Sequence, residues 1–112
     1  MAVIAFASAP RNLLDSIRSE IRAGRVETWS VDSDGDFTHD PEQWESKAWF
    51  RPKVGTDRII FYILTPQNTT MKKSTYAVYH GRFIEMLLAH FDTRFQRAIA
   101  TALPVEGDSV GG

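Results

Sequence analysis

A chain of 112 residues has room for one domain and one hydrophobic core. With 43% apolar and 12% aromatic residues it carries enough apolar surface to fold, which excludes a disordered chain. A formal net charge of -1 excludes a global excess of cations and leaves only a local patch for contact with nucleic acid, and the lack of cysteine excludes disulfides, a thiolate nucleophile and a sulfur-ligated zinc site.

The run from Met1 to Ala7 is apolar, but no basic region precedes it and it is short for the apolar part of a secretory signal, so it is not read as one. Ser8 ahead of Pro10 resembles a capped helix start. Leu13, Leu14, Ile17 and Ile21 then recur at helical spacing and Gly24 supplies a stop, which predicts a helix over residues 9–23. From Val26 to His39 the period changes to two, and Asp34-Gly35 between the two runs predicts a β-hairpin with a primed turn. Residues 40–46 read as a connecting loop or a single helical turn capped by Asp40. Ala48, Trp49 and Phe50 start a strand expected to end at Pro52, and Arg58 to Leu64, apolar at successive positions, reads as a central strand covered on both faces.

After a loop at 66–74, residues 75–80 fit either a last strand or the first turns of a helix, and their β-branched and aromatic content, followed by Gly81, favours the strand. Ile84, Leu87, Leu88, Phe91, Phe95, Ile99 and Ala102 then form a helical stripe from Arg82 to Pro104. The expected fold is α+β in two layers: an antiparallel four- or five-stranded sheet with one N-terminal and one long C-terminal helix. It forms a single domain over 1–104, followed by a flexible tail at 105–112. No stretch approaches the roughly 20 apolar residues of a membrane span. A cytoplasmic domain without membrane contact is expected.

Few residues carry a chemical signature. Asp32, Asp34 and Asp36 alternate as cation ligands do, but the glycine and glutamate positions of a calcium loop are occupied by Phe37 and Gln43, and turn chemistry accounts for the same letters. No metal and no cofactor are expected. His39, His80 and His90 are candidates for acid–base work because an unperturbed imidazole titrates near neutrality, and His80, beside Gly81, is the best placed. Arg11, Arg18, Arg22 and Arg25 align along the first helix, with Asp15 and Glu20 as ordinary ion-pair partners. Arg51, Lys53, Arg58, Lys72 and Lys73 form a second basic group if their loops share one end of the sheet. Phe83 and Met86 project from the flank of the final helical stripe, where either sheet residues or another subunit cover them, and a homodimer is the preferred explanation.

The segment Arg51-Pro52-Lys53-Val54-Gly55-Thr56-Asp57-Arg58-Ile59-Ile60-Phe61 resembles the strand–turn–strand of RelE/ParE-family toxins. That resemblance implies RNA cleavage, with Arg51, Lys53 and Arg58 on phosphates and Tyr62 or His80 assisting proton transfer. It covers residues 51–61 alone, and the acidic hairpin and long final helix depart from the family pattern. With no nucleotide loop, nucleophile elbow or metal motif, the leading expectation is a homodimeric binding or assembly domain that takes a protein partner or small ligand. A nucleic-acid-acting, RelE-like ribonuclease is the alternative, and the residues leave open whether the domain is an enzyme.

Overall fold

The computed structural model describes residues 2–102, so the expected tail lies outside the described residues. Its elements in chain order are β1 (Ala2–Phe6), α1 (Pro10–Arg22), β2 (Trp29–Val31), β3 (Phe37–His39), β4 (Trp49–Val54), β5 (Arg58–Leu64), α2 (Lys73–Phe91) and β6 (Arg97–Ala100). The strands form one antiparallel sheet in the order β2-β3-β4-β5-β1-β6. The α+β two-layer class stands, with six strands where four or five were expected. Strands β4, β5, β1 and β6 with the two helices interlock as two split β-α-β units, and the β2–β3 hairpin extends one edge.

The first helix folds as its periodicity requires: Leu13, Leu14, Ile17 and Ile21 are all buried. Its N-cap is Ala9, with no side-chain cap, and the pyrrolidine of Pro10 sets the first turn instead of the Ser8 hydroxyl. In the hairpin, the Gly35 N–H donates to the Asp32 carbonyl and the Asp32 N–H to the Asp36 carbonyl. Only Gly35 in this turn has positive φ, at 84°. The connection is therefore a longer turn ending in one left-handed residue, in place of the expected two-residue primed turn.

Four sequence expectations change. The apolar run at the N-terminus is β1, lying between β5 and β6. Strand β4 passes through Pro52 and continues to Val54. It pairs with β3 only at Phe50, so the missing proline N–H removes no donor from a ladder on that side. Residues 75–80 are the opening turns of α2, where Thr75, Tyr79, Phe83 and Leu87 share the buried face at four-residue spacing. The helix then stops at Phe91, and Arg97–Ala100 returns as the edge strand β6 instead of continuing the helix.

Both helices cover one face of the sheet. Ile59, Phe61 and Ile63 of β5 point into that core with 0% exposure, as do Val3 and Ala5 of β1. Phe83 sits at its centre, 4.7 Å from the rings of Phe50 and Phe61, 5.1 Å from Trp29 and 5.7 Å from Phe37. The interface role expected for Phe83 and Met86 is thereby corrected: they are 0% and 4% exposed, covered by the chain's own sheet. Leu88, assigned to the core stripe by spacing, is 55% exposed.

Candidate nucleic-acid interface

The opposite face of the sheet has no helix over it, and the register arranges its side chains in rows. At one end Arg58 pairs with Phe6 and Phe6 with Arg97. The next row runs Lys53, Ile60, Ile4 and Ile99 across β4, β5, β1 and β6. Then come Arg51 with Tyr62, and finally Trp49 with Leu64. The core face alternates with this one along each strand, which leaves Ile4, Phe6, Trp49, Ile60, Tyr62 and Leu64 half-buried and Ile99 at 42% exposure. The central strand β5 is thus covered on one face only, and its unbroken apolar run reflects an apolar open face.

Cations frame this surface. The guanidinium groups of Arg58 and Arg97 lie 4.7 and 4.2 Å from the centre of the Phe6 ring, so one aromatic residue holds two arginines at the end of the sheet. Arg58 also reaches Asp57 at 2.9 Å, and that contact holds the Asp57 carboxyl below its ordinary pKa. Arg51 forks onto Asp36, with Nη2 at 2.8 Å from Oδ2 and Nε at 3.2 Å from Oδ1, and the carboxylate raises the pKa of Arg51. Lys53 is exposed in the row between these arginines. Asp57 offsets Arg58, and Asp36 with Asp32 and Asp34 beside it offsets Arg51, which leaves Lys53 and Arg97 as the cations of this face without an ion pair among the described residues.

Arg51, Lys53, Arg58 and Tyr62 are therefore brought together as expected, but Lys72 and Lys73 are not. They follow the far end of β5, about 20 Å along the strand from the turn that joins it to β4. His80 is also elsewhere: it lies on α2 at 4% exposure, its ring 5.1 Å from Phe50 on the helix-covered face and its Nδ1–H donating to the Tyr76 carbonyl at 2.7 Å. Tyr62 and His80 stand on opposite sides of the sheet, and the proton-transfer pair implied by the toxin resemblance is not assembled.

His39 is buried beside Trp29, and its Nδ1–H donates to the Thr28 carbonyl at 2.9 Å. Desolvation there lowers its pKa. His90 is exposed. The carboxylates of Asp32, Asp34 and Asp36 converge to within 4.8 Å. Asp32 Oδ1 already accepts the N–H groups of Asp34 and Asp36, at 3.0 and 2.9 Å, and Asp36 is committed to Arg51, so the cluster closes the hairpin turn. On α1, Arg25 pairs with Glu20 at 2.6 Å and Arg18 Nη2 donates to the Gly35 carbonyl at 2.9 Å.

Phe6 and Arg97 belong to the open face and were not singled out in the sequence. The signal that finds them is period-two alternation in β4 and β6 read together with β1, whose apolar residues fall on both faces and conceal the pattern. No helix among the described residues is long and apolar enough to cross a membrane. Comparison with protein-family models, with curated proteins and with solved structures finds no match, so the functional reading rests on the geometry of the chain itself.

Proposed function

We propose that the domain is a non-catalytic binding module whose open sheet face takes single-stranded nucleic acid. The observation that carries this is the register: Arg51, Lys53, Arg58 and Arg97 interleave with Phe6, Tyr62 and Trp49 on one accessible surface. Phosphates are attracted by clustered cations, and bases with their π-faces fit a sheet that offers aromatic and aliphatic side chains. The surface is the broad face of a six-stranded sheet, not a helix or a two-stranded ribbon of the kind that enters a duplex groove, which favours unpaired strands. This reading places the domain in the cytoplasm.

The rival occupant is a second copy, for which the exposed Ile99 and the neighbouring Ile4 and Ile60 supply apolar contact. A two-fold interface sets a patch against itself and brings its cations near those of the partner, which disfavours that use of this face.

Anisotropy of a fluorescein-labelled oligouridylate titrated with the full chain tests the proposal, run alongside light scattering. Affinity should fall steeply between about 50 and about 200 mM salt, and Lys53→Gln with Arg97→Gln should reduce the log–log salt slope by about 1.4. Tyr62→Leu should weaken binding by about 1–3 kcal/mol at either salt if a base stacks there. Binding that ignores salt and the double variant, or a salt-insensitive dimer that excludes the oligonucleotide, would overturn it in favour of self-assembly.

A further inference from the structure

The end row of the open face gathers charge as the other rows do not. Arg58 and Arg97 reach Phe6 from the strands on either side of it, and their guanidinium carbons lie 4.7 and 4.2 Å from the centre of its ring. The backbone beneath is pinned on both sides: the Gln96 N–H donates to the Phe6 carbonyl at 2.7 Å, and the Ala7 N–H to the Asp57 carbonyl at 2.9 Å. Two like charges are thus held on one aromatic side chain, a placement that costs repulsion in the free chain and favours an anion.

Asp57 offsets one of these charges. It takes the Nε and Nη2 edge of Arg58, at 2.9 and 3.4 Å, and leaves Nη1 without a partner among the described residues. Both side chains of that pair are solvated, 42% and 64% exposed, so the contact is weak and yields to a stronger acceptor. Arg97 is exposed and makes no ion pair among the described residues, which leaves its whole donor fork available. It is nevertheless close enough to add to the pull by which Arg58 holds the Asp57 carboxyl below its ordinary pKa.

The row is also a terminus. Strand β1 ends at Phe6, β5 begins at Arg58 and β6 begins at Arg97, so the sheet offers no further row beyond them. An internal phosphate of a nucleic acid carries one negative charge, whereas a phosphate at a chain end carries about −1.5 to −2 near neutral pH and presents three acceptor oxygens, which suits two guanidinium groups. Building on the reading of the open face as a nucleic-acid surface, we infer that the Arg58–Phe6–Arg97 row binds the phosphorylated end of a single strand. The end phosphate accepts from both guanidinium groups, and the chain runs inward past Lys53 to the row of Arg51 and Tyr62.

The test is competition against the labelled oligouridylate by unlabelled oligouridylates of one length that end in a 5′-phosphate, in a 3′-phosphate or in hydroxyls at both ends. One phosphorylated form should compete about tenfold better than the hydroxyl form, and which one does so gives the direction of the strand. Arg97→Gln should cut that advantage to about twofold, and Phe6→Leu, which keeps both charges but removes the ring that gathers them, to about threefold. Lys53→Gln should weaken all three competitors alike and leave the advantage intact, which separates a defined end site from general attraction of the extra charge. Binding of the hydroxyl form reports that each variant is folded. Equal competition by all three forms, an equal gain from either phosphate, or an advantage that Lys53→Gln and Arg97→Gln reduce alike would overturn this inference and leave the nucleic-acid surface standing. Failure of every form to bind would overturn both.

Discussion

Arg51 differs from the other cations of the open face because the fold depends on it. Its partner Asp36 has a side chain only 5% exposed, whereas that of Arg51 is 55% exposed. Asp32 and Asp34 bring two more carboxylates within 4.8 Å of that group. Removing the arginine therefore leaves a buried charge among like charges, while removing the aspartate only frees a guanidinium into water. Arg51→Gln is expected to lower the unfolding free energy by about 1–3 kcal/mol, toward the lower end because one partner is solvated. Adding Asp36→Asn to that variant should recover most of the loss. Urea denaturation of the two single variants and the double variant measures this, and a harmless Arg51→Gln would mean that Asp36 is held by its neighbours alone. The same argument explains why Lys53 and Arg97, which carry no such structural role, are the residues to remove when binding is the question.

At the scale of elements, α2 shows how packing overrides propensity. Thr75, Tyr76, Val78 and Tyr79 favour extended structure, but in a helix Thr75 and Tyr79 join Phe83 and Leu87 on one buried face. There the Tyr79 hydroxyl donates to the Trp44 carbonyl at 2.5 Å. Gly81 lies inside this helix on its exposed side, where an added Cβ would meet nothing within 4 Å. Gly81→Ala is therefore expected to stabilise the protein by about 0.5–1 kcal/mol, read as a rise in thermal midpoint, and a fall would show that the helix is interrupted at this position. The elements legible in the sequence were those with one clear period: α1, the β2–β3 hairpin and β5. Phe91, Phe95, Ile99 and Ala102 fit a helical spacing, yet Arg97–Ala100 also alternates, and the backbone bond from Gln96 to Phe6 settles it as a strand by pairing with β1. That pairing spans nearly the whole chain, and no local pattern announces it. The candidate face was legible only as Arg51, Lys53, Arg58 and Tyr62, because placing Phe6 and Arg97 beside them requires knowing that β1 and β6 are strands.

The whole molecule is a sheet with two unlike sides, and β6 brings the contrast down to adjacent residues. Ala98 opposes Ala5 on the side that faces the helices and packs against the core, whereas Ile99 opposes Ile4 on the open side. A carboxylate at 98 has no partner in the apolar layer beneath α2, so Ala98→Asp is expected to destabilise the fold by about 2 kcal/mol or more. Ile99→Gln changes only an exposed surface position and should leave stability within about 0.5 kcal/mol. Its consequence belongs to association: if the open face takes nucleic acid, Ile99→Gln should leave a monomer a monomer in light scattering, and if the face joins two copies, the same change should dissociate the dimer with the unfolding midpoint extrapolated to low concentration unmoved. Equal destabilisation by the two variants would mean that both faces are covered in solution, because a side chain 42% exposed in the isolated chain can cost as much as a core residue only when another molecule lies over it.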